Sequence, residues 1–131
     1  MEESSNKDRY VIERQLPRVR VPKELAVKIE LEVPDGTRWS ARCIDINLEG
    51  VLLEFAPNNI PDVNVDSQVL VIIQLESEIT AKILAIVRHF VARRLGLEFP
   101  DLSTQAPEQE NHLSHILRTI ERVILRGKKQ E

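Results

Sequence analysis

Two short polar stretches contain the side chains that could recognise a ligand. The first, RQLPR at residues 14–18, places Arg14 and Arg18 four residues apart. Two guanidinium groups at this spacing can grip one compact dianion or its two ends, because each presents several N–H donors in a fixed fork. The alternative is a solvated basic loop whose arginines pair with Glu13 or with surface acids.

The second stretch, DINLEG at residues 45–50, combines a carboxylate, an amide and a glycine. In an extended segment Asp45 and Asn47 point to the same side, so their polar atoms would stand together at a strand end. Gly50 would let the chain reverse or let another group approach closely. The alternative is an Asx-type turn that caps a hairpin and binds nothing.

The hydrophobic pattern predicts strands on both sides of the second stretch. Six segments bounded by turn-forming residues are apolar or alternate between apolar and polar residues, which is typical of β-strands. They are residues 25–33, 37–46, 51–55, 68–76, 78–89 and 91–99. Short connections between six strands favour a closed or nearly closed antiparallel barrel, since an open sheet would leave bare edges. Pro17 and Pro22 exclude a sustained helix ahead of the first strand.

The C-terminal part of the chain changes to a helical period. Apolar residues recur at i, i+3, i+4 and i+7 from Leu113 to Ile124, with arginines on the polar face. Gly127 is the predicted end of this helix. An amphipathic helix of this kind must bury its apolar stripe on the barrel or on a partner.

Composition and charge limit the class of protein. The chain has 131 residues, 42% hydrophobic and 4% aromatic, as expected for one domain with an aliphatic core. Its net charge of −3 argues against binding long polyanions through bulk charge, although residues 7–28 form a basic arm. A single cysteine, Cys43, excludes an intramolecular disulfide. We find no signal peptide or membrane span, and we expect a cytoplasmic protein without membrane insertion.

No combination of residues indicates catalysis. The sequence has no evident Ser/His/Asp or Cys/His set and no glycine-rich phosphate loop, so we expect neither an enzyme nor a cofactor. His112 and His115 have an i, i+3 spacing that metal sites use, but no third ligand accompanies them, so we expect no metal. We expect structural roles for His89 and for Trp39, which packs in the barrel or at its rim.

Taken together, the arginine loop, the turn at residues 45–50 and the six predicted strands resemble the PilZ domain family, the bacterial receptor module for cyclic di-GMP. The family pattern is RxxxR ahead of the first barrel strand, followed by (D/N)xSxxG. Residues 14–18 match the first part, and residues 45–50 match the second except at Asn47, where the family usually has serine. LGLEF at residues 95–99 is similar to the family's closing strand. The resemblance implies an all-β fold with a C-terminal helix, a six-stranded antiparallel PilZ-type β-barrel.

The resemblance also implies a cyclic di-GMP site. Its expected residues are Arg14, Arg18, Asp45, Asn47 and Gly50, with Arg9 and Arg20 as additional candidates. Guanidinium forks suit the O6 and N7 acceptors of guanine or a phosphate, while a carboxylate accepts from the N–H donors on the opposite edge of the base. An asparagine can both accept and donate, so the exchange of serine does not abolish polar recognition.

The expected domain organisation follows from the same resemblance, which covers residues 9–126. We expect a disordered tail at 1–8, a ligand-binding loop at 9–22, a barrel at 24–99, a helix at 107–126 and a tail at 127–131. Ligand would order the basic loop and so expose or hide a surface for an unidentified protein partner in motility, exopolysaccharide or attachment control. We expect a monomer or a weak homodimer.

Two other functions stay open at this point. One is a ligand-free PilZ-like adaptor in protein–protein interaction, in which Asn47 marks a degraded pocket. The other is a small nucleic-acid-binding barrel with its basic arm on the phosphate backbone. The acidic total and the few aromatic residues argue against the second, so we expect no nucleic acid partner.

Overall fold

The computed structural model describes residues 18–22, 25–75 and 79–130, with side chains described as far as residue 126. The strands in these ranges are β1 (Val19–Arg20), β2 (Val27–Glu32), β3 (Arg38–Ile46), β4 (Gly50–Glu54), β5 (Gln68–Leu75), β6 (Ile79–Val91) and β7 (Arg94–Glu98). The helices are α1 (Leu102–Gln105) and α2 (Pro107–Gln130). Arg9, Arg14 and the predicted tail at residues 1–8 lie outside the described residues.

Strands β2 to β7 close into a barrel, which confirms the predicted six-stranded antiparallel architecture. Around the barrel the order is β3, β2, β5, β6, β7 and β4, and pairing of β4 with β3 completes the circle. β1 is an additional strand that the sequence analysis assigns to a loop. It pairs with the end of β3, where Val19 lies opposite Ile46 and Arg20 lies opposite Asp45.

The inner face of the barrel is aliphatic, as the composition predicts. Alternate residues of each strand point inward, and on β2 the side chains of Ile29 and Leu31 are fully buried. Among the largest fully buried side chains in the described ranges, Phe55 is the one aromatic. The barrel is therefore filled by its own side chains, so a ligand has to bind on the outside or at an end.

Helix α2 covers the part of β6 that has no strand on one side. β7 pairs with β6 only from Ile86 onward, so the first half of β6 would otherwise expose an unpaired edge. The backbone N–H of Lys82 in that half donates to the side-chain Oε1 of Gln109 on α2, at 2.8 Å. The apolar stripe predicted for the helix is buried against the barrel, with Leu113 and Ile116 fully inaccessible.

The ends of the helices differ from the prediction. α2 continues to Gln130, so the predicted end at Gly127 is wrong. A glycine inside a helix costs only about 1 kcal/mol, and it ends a helix only when it leaves the helical conformation. α1 is a single unpredicted turn, capped by the Asp101 carboxylate, which accepts from the Ser103 N–H at 3.2 Å. No helix in the described ranges is long and apolar enough to cross a membrane.

The turn between β6 and β7 lies at residues 92–93, whereas the sequence predicts a break at Phe90. β6 continues through Phe90, which pairs with Leu95, and ends at Val91, which pairs with Arg94. Ala92 then adopts a φ of 56°. Glycine, asparagine and aspartate are the residues that normally mark such a conformation, so an alanine gives no signal in the sequence.

We expect Ala92→Gly to stabilise the protein by about 1 kcal/mol, because a side chain at positive φ is strained and glycine is not. Ala92 is exposed, so the substitution removes no core packing. Urea unfolding followed by circular dichroism measures the change. Ala56→Gly is the matched control, an exposed loop alanine that is not among the positive-φ residues. If Ala92→Gly does not raise the free energy of unfolding relative to Ala56→Gly, the backbone strain at Ala92 is contradicted.

Candidate ligand-binding site

A β-bulge in β3 places Asp45 on the outer surface of the barrel. The β3–β4 ladder pairs Cys43 with Leu53 and Asp45 with Leu52, which leaves Ile44 as an extra residue. Cys43 faces the core, and with strict alternation Asp45 would face it too. The extra residue reverses the phase, so the carboxylate of Asp45 is directed outward.

Arg18 lies directly against this carboxylate. Its Nη1 donates to Oδ1 of Asp45 at 3.0 Å, and the two side chains remain 47% and 22% exposed. The backbone fixes their proximity, because β1 follows Arg18 immediately and places Arg20 opposite Asp45. The two polar stretches therefore meet on one outer face, where a guanidinium and a carboxylate are both accessible.

Asn47 builds the turn after β3. Its Oδ1 accepts hydrogen bonds from the backbone N–H groups of Glu49 and Gly50 at 2.7 and 3.0 Å, and the residue is 6% exposed. The extended geometry from which the sequence analysis aligned Asp45 with Asn47 ends at Ile46, where the chain turns, so the proximity of their polar atoms stays a prediction. The side-chain carbonyl oxygen of Asn47 acts as in an Asx turn, which is the alternative interpretation of this stretch. A ligand contact by Asn47 stays a prediction.

Gly50 allows β4 to approach β7 closely. A Cβ atom built on Gly50 would overlap the backbone carbonyl oxygen of Leu97. Gly50 does not have a positive φ, so the requirement comes from this neighbouring strand and not from the turn. A role for Gly50 in ligand binding also stays a prediction.

A second bulge turns His89 toward the same outer face. β6 pairs Val87 with Leu97 and His89 with Gly96, so Arg88 is the extra residue. The His89 imidazole packs over Gly96, where a Cβ would overlap the ring atoms. Strict alternation from the inward-facing Val87 would direct His89 inward, and nothing in the sequence marks the bulge. His89 is therefore a surface group that the sequence pattern does not predict.

The strand pairings align these residues in one row across the barrel surface. From β1 through β3, β4 and β7 to β6, the row is Arg20, Asp45, Leu52, Gly96 and His89. Residues paired across strands lie on the same face, so the row is a continuous surface that starts at the ion pair of Arg18 and Asp45. Of the predicted site residues, Arg18, Arg20 and Asp45 are together here, and Asn47 and Gly50 lie in the adjoining turn.

A family model for the PilZ domain matches residues 13–118, which is most of the chain. The chain belongs to the PilZ domain family. In a search of curated proteins, no sequence matches this PilZ domain.

Solved structures of PilZ proteins share the fold. The PilZ domain of YcgR from Escherichia coli, solved with cyclic di-GMP, superposes with a TM-score of 0.73 at 14% identity, covering 90% of this chain and 98% of that one. The Escherichia coli YcgR structure in complex with cyclic di-GMP superposes with a TM-score of 0.68 at 16% identity, covering 89% of this chain. The MrkH–cyclic di-GMP complex from K. pneumonia superposes with a TM-score of 0.69 at 16% identity, covering 90% of this chain. This chain spans about half of those two longer chains, 50% and 54%.

The remaining polar candidates of this PilZ domain lie away from the row. Trp39 is on the inner face of β3 opposite Leu31, and its buried indole N–H has no hydrogen-bond partner among the described residues. His112 lies on α2, where its buried Nδ1 also lacks a partner within those ranges. In the part of the chain that the structure describes, no three His, Cys, Asp or Glu side chains are grouped to hold a metal ion.

Cys43 is a partly buried thiol on the inner side of β3. Burial, and to a smaller extent the Asp45 carboxylate, raise the pKa of the Cys43 thiol to about 12. The thiol of an unfolded chain titrates near a pKa of about 8.5. The free energy of unfolding therefore contains a full contribution from the buried Cys43 thiol below about pH 8.5. This contribution is lost as the pH rises from there through the pKa of the thiol in the folded protein.

We expect the native Cys43 thiol to react with iodoacetamide at pH 8 at least about a hundredfold more slowly than the thiol of the urea-unfolded chain, because the thiolate is the nucleophile. Mass spectrometry of timed aliquots measures both rates. The unfolded protein is the internal control for reagent activity. Equal alkylation rates in the folded and unfolded states would contradict the protection of the Cys43 thiol by burial.

Proposed function

We propose that this PilZ domain is a receptor for cyclic di-GMP and not an enzyme. The observation that carries the proposal is the contact between Arg18 and Asp45 on the outer face, because it joins one residue from each of the two family motifs. The cyclic di-GMP complexes of YcgR and MrkH support it, since their PilZ folds are similar to this one.

The chemistry of the ion pair suits a guanine nucleotide. The guanidinium of Arg18 can donate two parallel hydrogen bonds to guanine O6 and N7 or to a phosphate. The Asp45 carboxylate can accept from the N–H donors on the opposite edge of the base. Arg14, Arg9 and Arg20 are proposed as further cations for the phosphates, and the turn of Asn47 and Gly50 would border the ligand.

The route by which binding would reach a partner leads through β1. Arg18 immediately precedes β1, and β1 contacts both β3 and helix α2. A ligand that draws Arg18 away from Asp45 would therefore act on a two-residue strand next to that helix. We propose that the helix surface signals to a protein partner in motility, exopolysaccharide or attachment control, in the cytoplasm, from a monomer or weak homodimer.

Isothermal titration calorimetry tests the proposed ligand. We expect saturable binding of cyclic di-GMP and at least about tenfold weaker binding of GMP and cyclic di-AMP, because GMP has one base and adenine lacks the O6 acceptor. Absence of saturable heat with cyclic di-GMP would contradict the proposal and would favour a ligand-free adaptor. Equal affinity for all three nucleotides would contradict guanine recognition.

A further inference from the structure

We propose that the outer face carries a second base subsite, formed by Leu52 and by His89 where it lies over Gly96, for the guanine that Arg18 and Asp45 do not hold. This inference rests on the proposed function and extends it, because cyclic di-GMP has two guanines and the ion pair can read only one. His89 is the residue assigned to stack on the second base.

The surface has a groove at this place. It encloses about 460 Å³ beside the turn between β6 and β7, and Leu52, His89 and Val91 contribute apolar and aromatic surface to it. Val91 is 68% exposed, so the groove opens to solvent. An apolar groove with an imidazole in its wall suits the flat face of a purine, which stacks on aromatic side chains.

The groove is continuous with the ion pair. Leu52, which lines the groove, is paired with Asp45 on the adjacent strand. One strand, β7, separates Leu52 on β4 from His89 on β6 in the same row. Since adjacent strands are about 4.8 Å apart, Asp45 and His89 are about 14 Å apart along the sheet. Two separated recognition points on one face match a ligand with two bases.

The position of His89 is fixed by its surroundings. The ring lies over Gly96, where no side chain intervenes between the imidazole and the β7 backbone. The bulge residue beside it, Arg88, is tied down by Glu98 through two hydrogen bonds of 3.0 and 2.6 Å and by Asp66 at 3.1 Å. A bulge held by its own side chain keeps the neighbouring imidazole on the outer face, so the stacking surface is pre-positioned.

The charge at the groove favours an anionic occupant over a basic or neutral protein segment. Arg93 and Arg94 line the groove together with Glu54. Glu54 is already shared by two cations, since Arg94 Nε and Arg42 Nη2 donate to it at 3.1 and 2.7 Å. Two lining arginines against one lining carboxylate leave the groove with a net positive charge, which attracts the phosphates of a dinucleotide.

Calorimetric titration with cyclic di-GMP tests the subsite in three variants, His89→Ala, His89→Phe and Arg18→Ala. We expect His89→Ala to weaken binding about tenfold, the size of a lost base–aromatic stack, and His89→Phe to retain the wild-type affinity because phenylalanine also stacks. His115→Ala, a histidine replacement on α2, is the matched control and should bind as the wild type does. In NMR spectra the His89 ring signals should shift upfield on binding.

The outcomes separate this inference from the proposed function. If the wild type binds cyclic di-GMP and Arg18→Ala weakens binding while His89→Ala does not, the second subsite is refuted and the receptor function stands. Equal losses in His89→Ala and His115→Ala, or ring signals that do not move, refute the subsite as well. If the wild type does not bind cyclic di-GMP at all, both proposals fall. Saturation of the groove by an acidic peptide in place of the dinucleotide would refute the assigned occupant.

Discussion

Arg18→Ala is expected to weaken cyclic di-GMP binding by about tenfold or more, because a hydrogen bond to a charged group contributes about 1.5–3 kcal/mol. The Arg18 side chain is 47% exposed and its guanidinium lies against Asp45, so a ligand can reach it without unfolding any element. Calorimetric titration of the variant beside the wild type measures the loss. Fold stability should change little, since exposed ion pairs contribute less than about 1 kcal/mol.

Arg38→Ala is the matched control for this experiment. Arg38 lies on the same strand as Asp45, is 51% exposed and forms a comparable surface ion pair with Glu32 at 2.9 Å. It is at the opposite end of β3, away from the row of site residues. We expect wild-type affinity for Arg38→Ala. A loss as large as that of Arg18→Ala would mean that general positive charge, and not the ion pair with Asp45, determines binding.

Gly50→Ala is expected to lower the free energy of unfolding by about 2–3 kcal/mol, the cost of forcing atoms into a packed position. The added Cβ would overlap the carbonyl oxygen of Leu97, which is backbone and cannot rotate away. The β4–β7 ladder, which pairs Gly50 with Glu98 and Val51 with Leu97, would have to open locally. Urea denaturation monitored by circular dichroism gives the free energy.

Gly36→Ala provides the comparison for the glycine series. Gly36 has a φ of 91° in the turn between β2 and β3, and a Cβ there would meet no atom within 4 Å. Only backbone strain opposes the alanine, so we expect a loss of about 1–2 kcal/mol. If Gly50→Ala were no more destabilising than Gly36→Ala, the close approach of β7 would not be the reason for glycine at position 50.

The barrel and its helix could be predicted because their patterns are local and strong. Ile29 and Leu31 alternate with glutamates on β2, and Leu113, Ile116 and Ile120 repeat at helical spacing, so the buried face is evident in both cases. The meeting of Arg18 with Asp45 was expected from the resemblance to a family. It could not be derived from spacing, because 27 residues separate the two.

The orientation of single side chains could not be predicted, because it depends on the two bulges. Ile44 and Arg88 each add one residue to a strand, and neither residue type marks a bulge. A phase change of one residue reverses every side chain beyond it, so Asp45 and His89 face outward where alternation predicts the opposite. The two-residue pairing of β1 is similarly too short to produce a pattern.

The ion pair of Arg18 and Asp45 also bears on how dissolved salt would act on the proposed binding of cyclic di-GMP. In the free protein each charge already has a neighbour of opposite sign, and at physiological ionic strength electrostatic attraction between exposed groups decays over about 8 Å. When a ligand phosphate pairs with the Arg18 guanidinium, it replaces the attraction to Asp45, and both attractions are screened by salt. Added salt therefore weakens the ion pair of the free protein as well as the contact in the complex. The affinity should therefore fall less steeply with ionic strength than it would for an arginine without a carboxylate beside it.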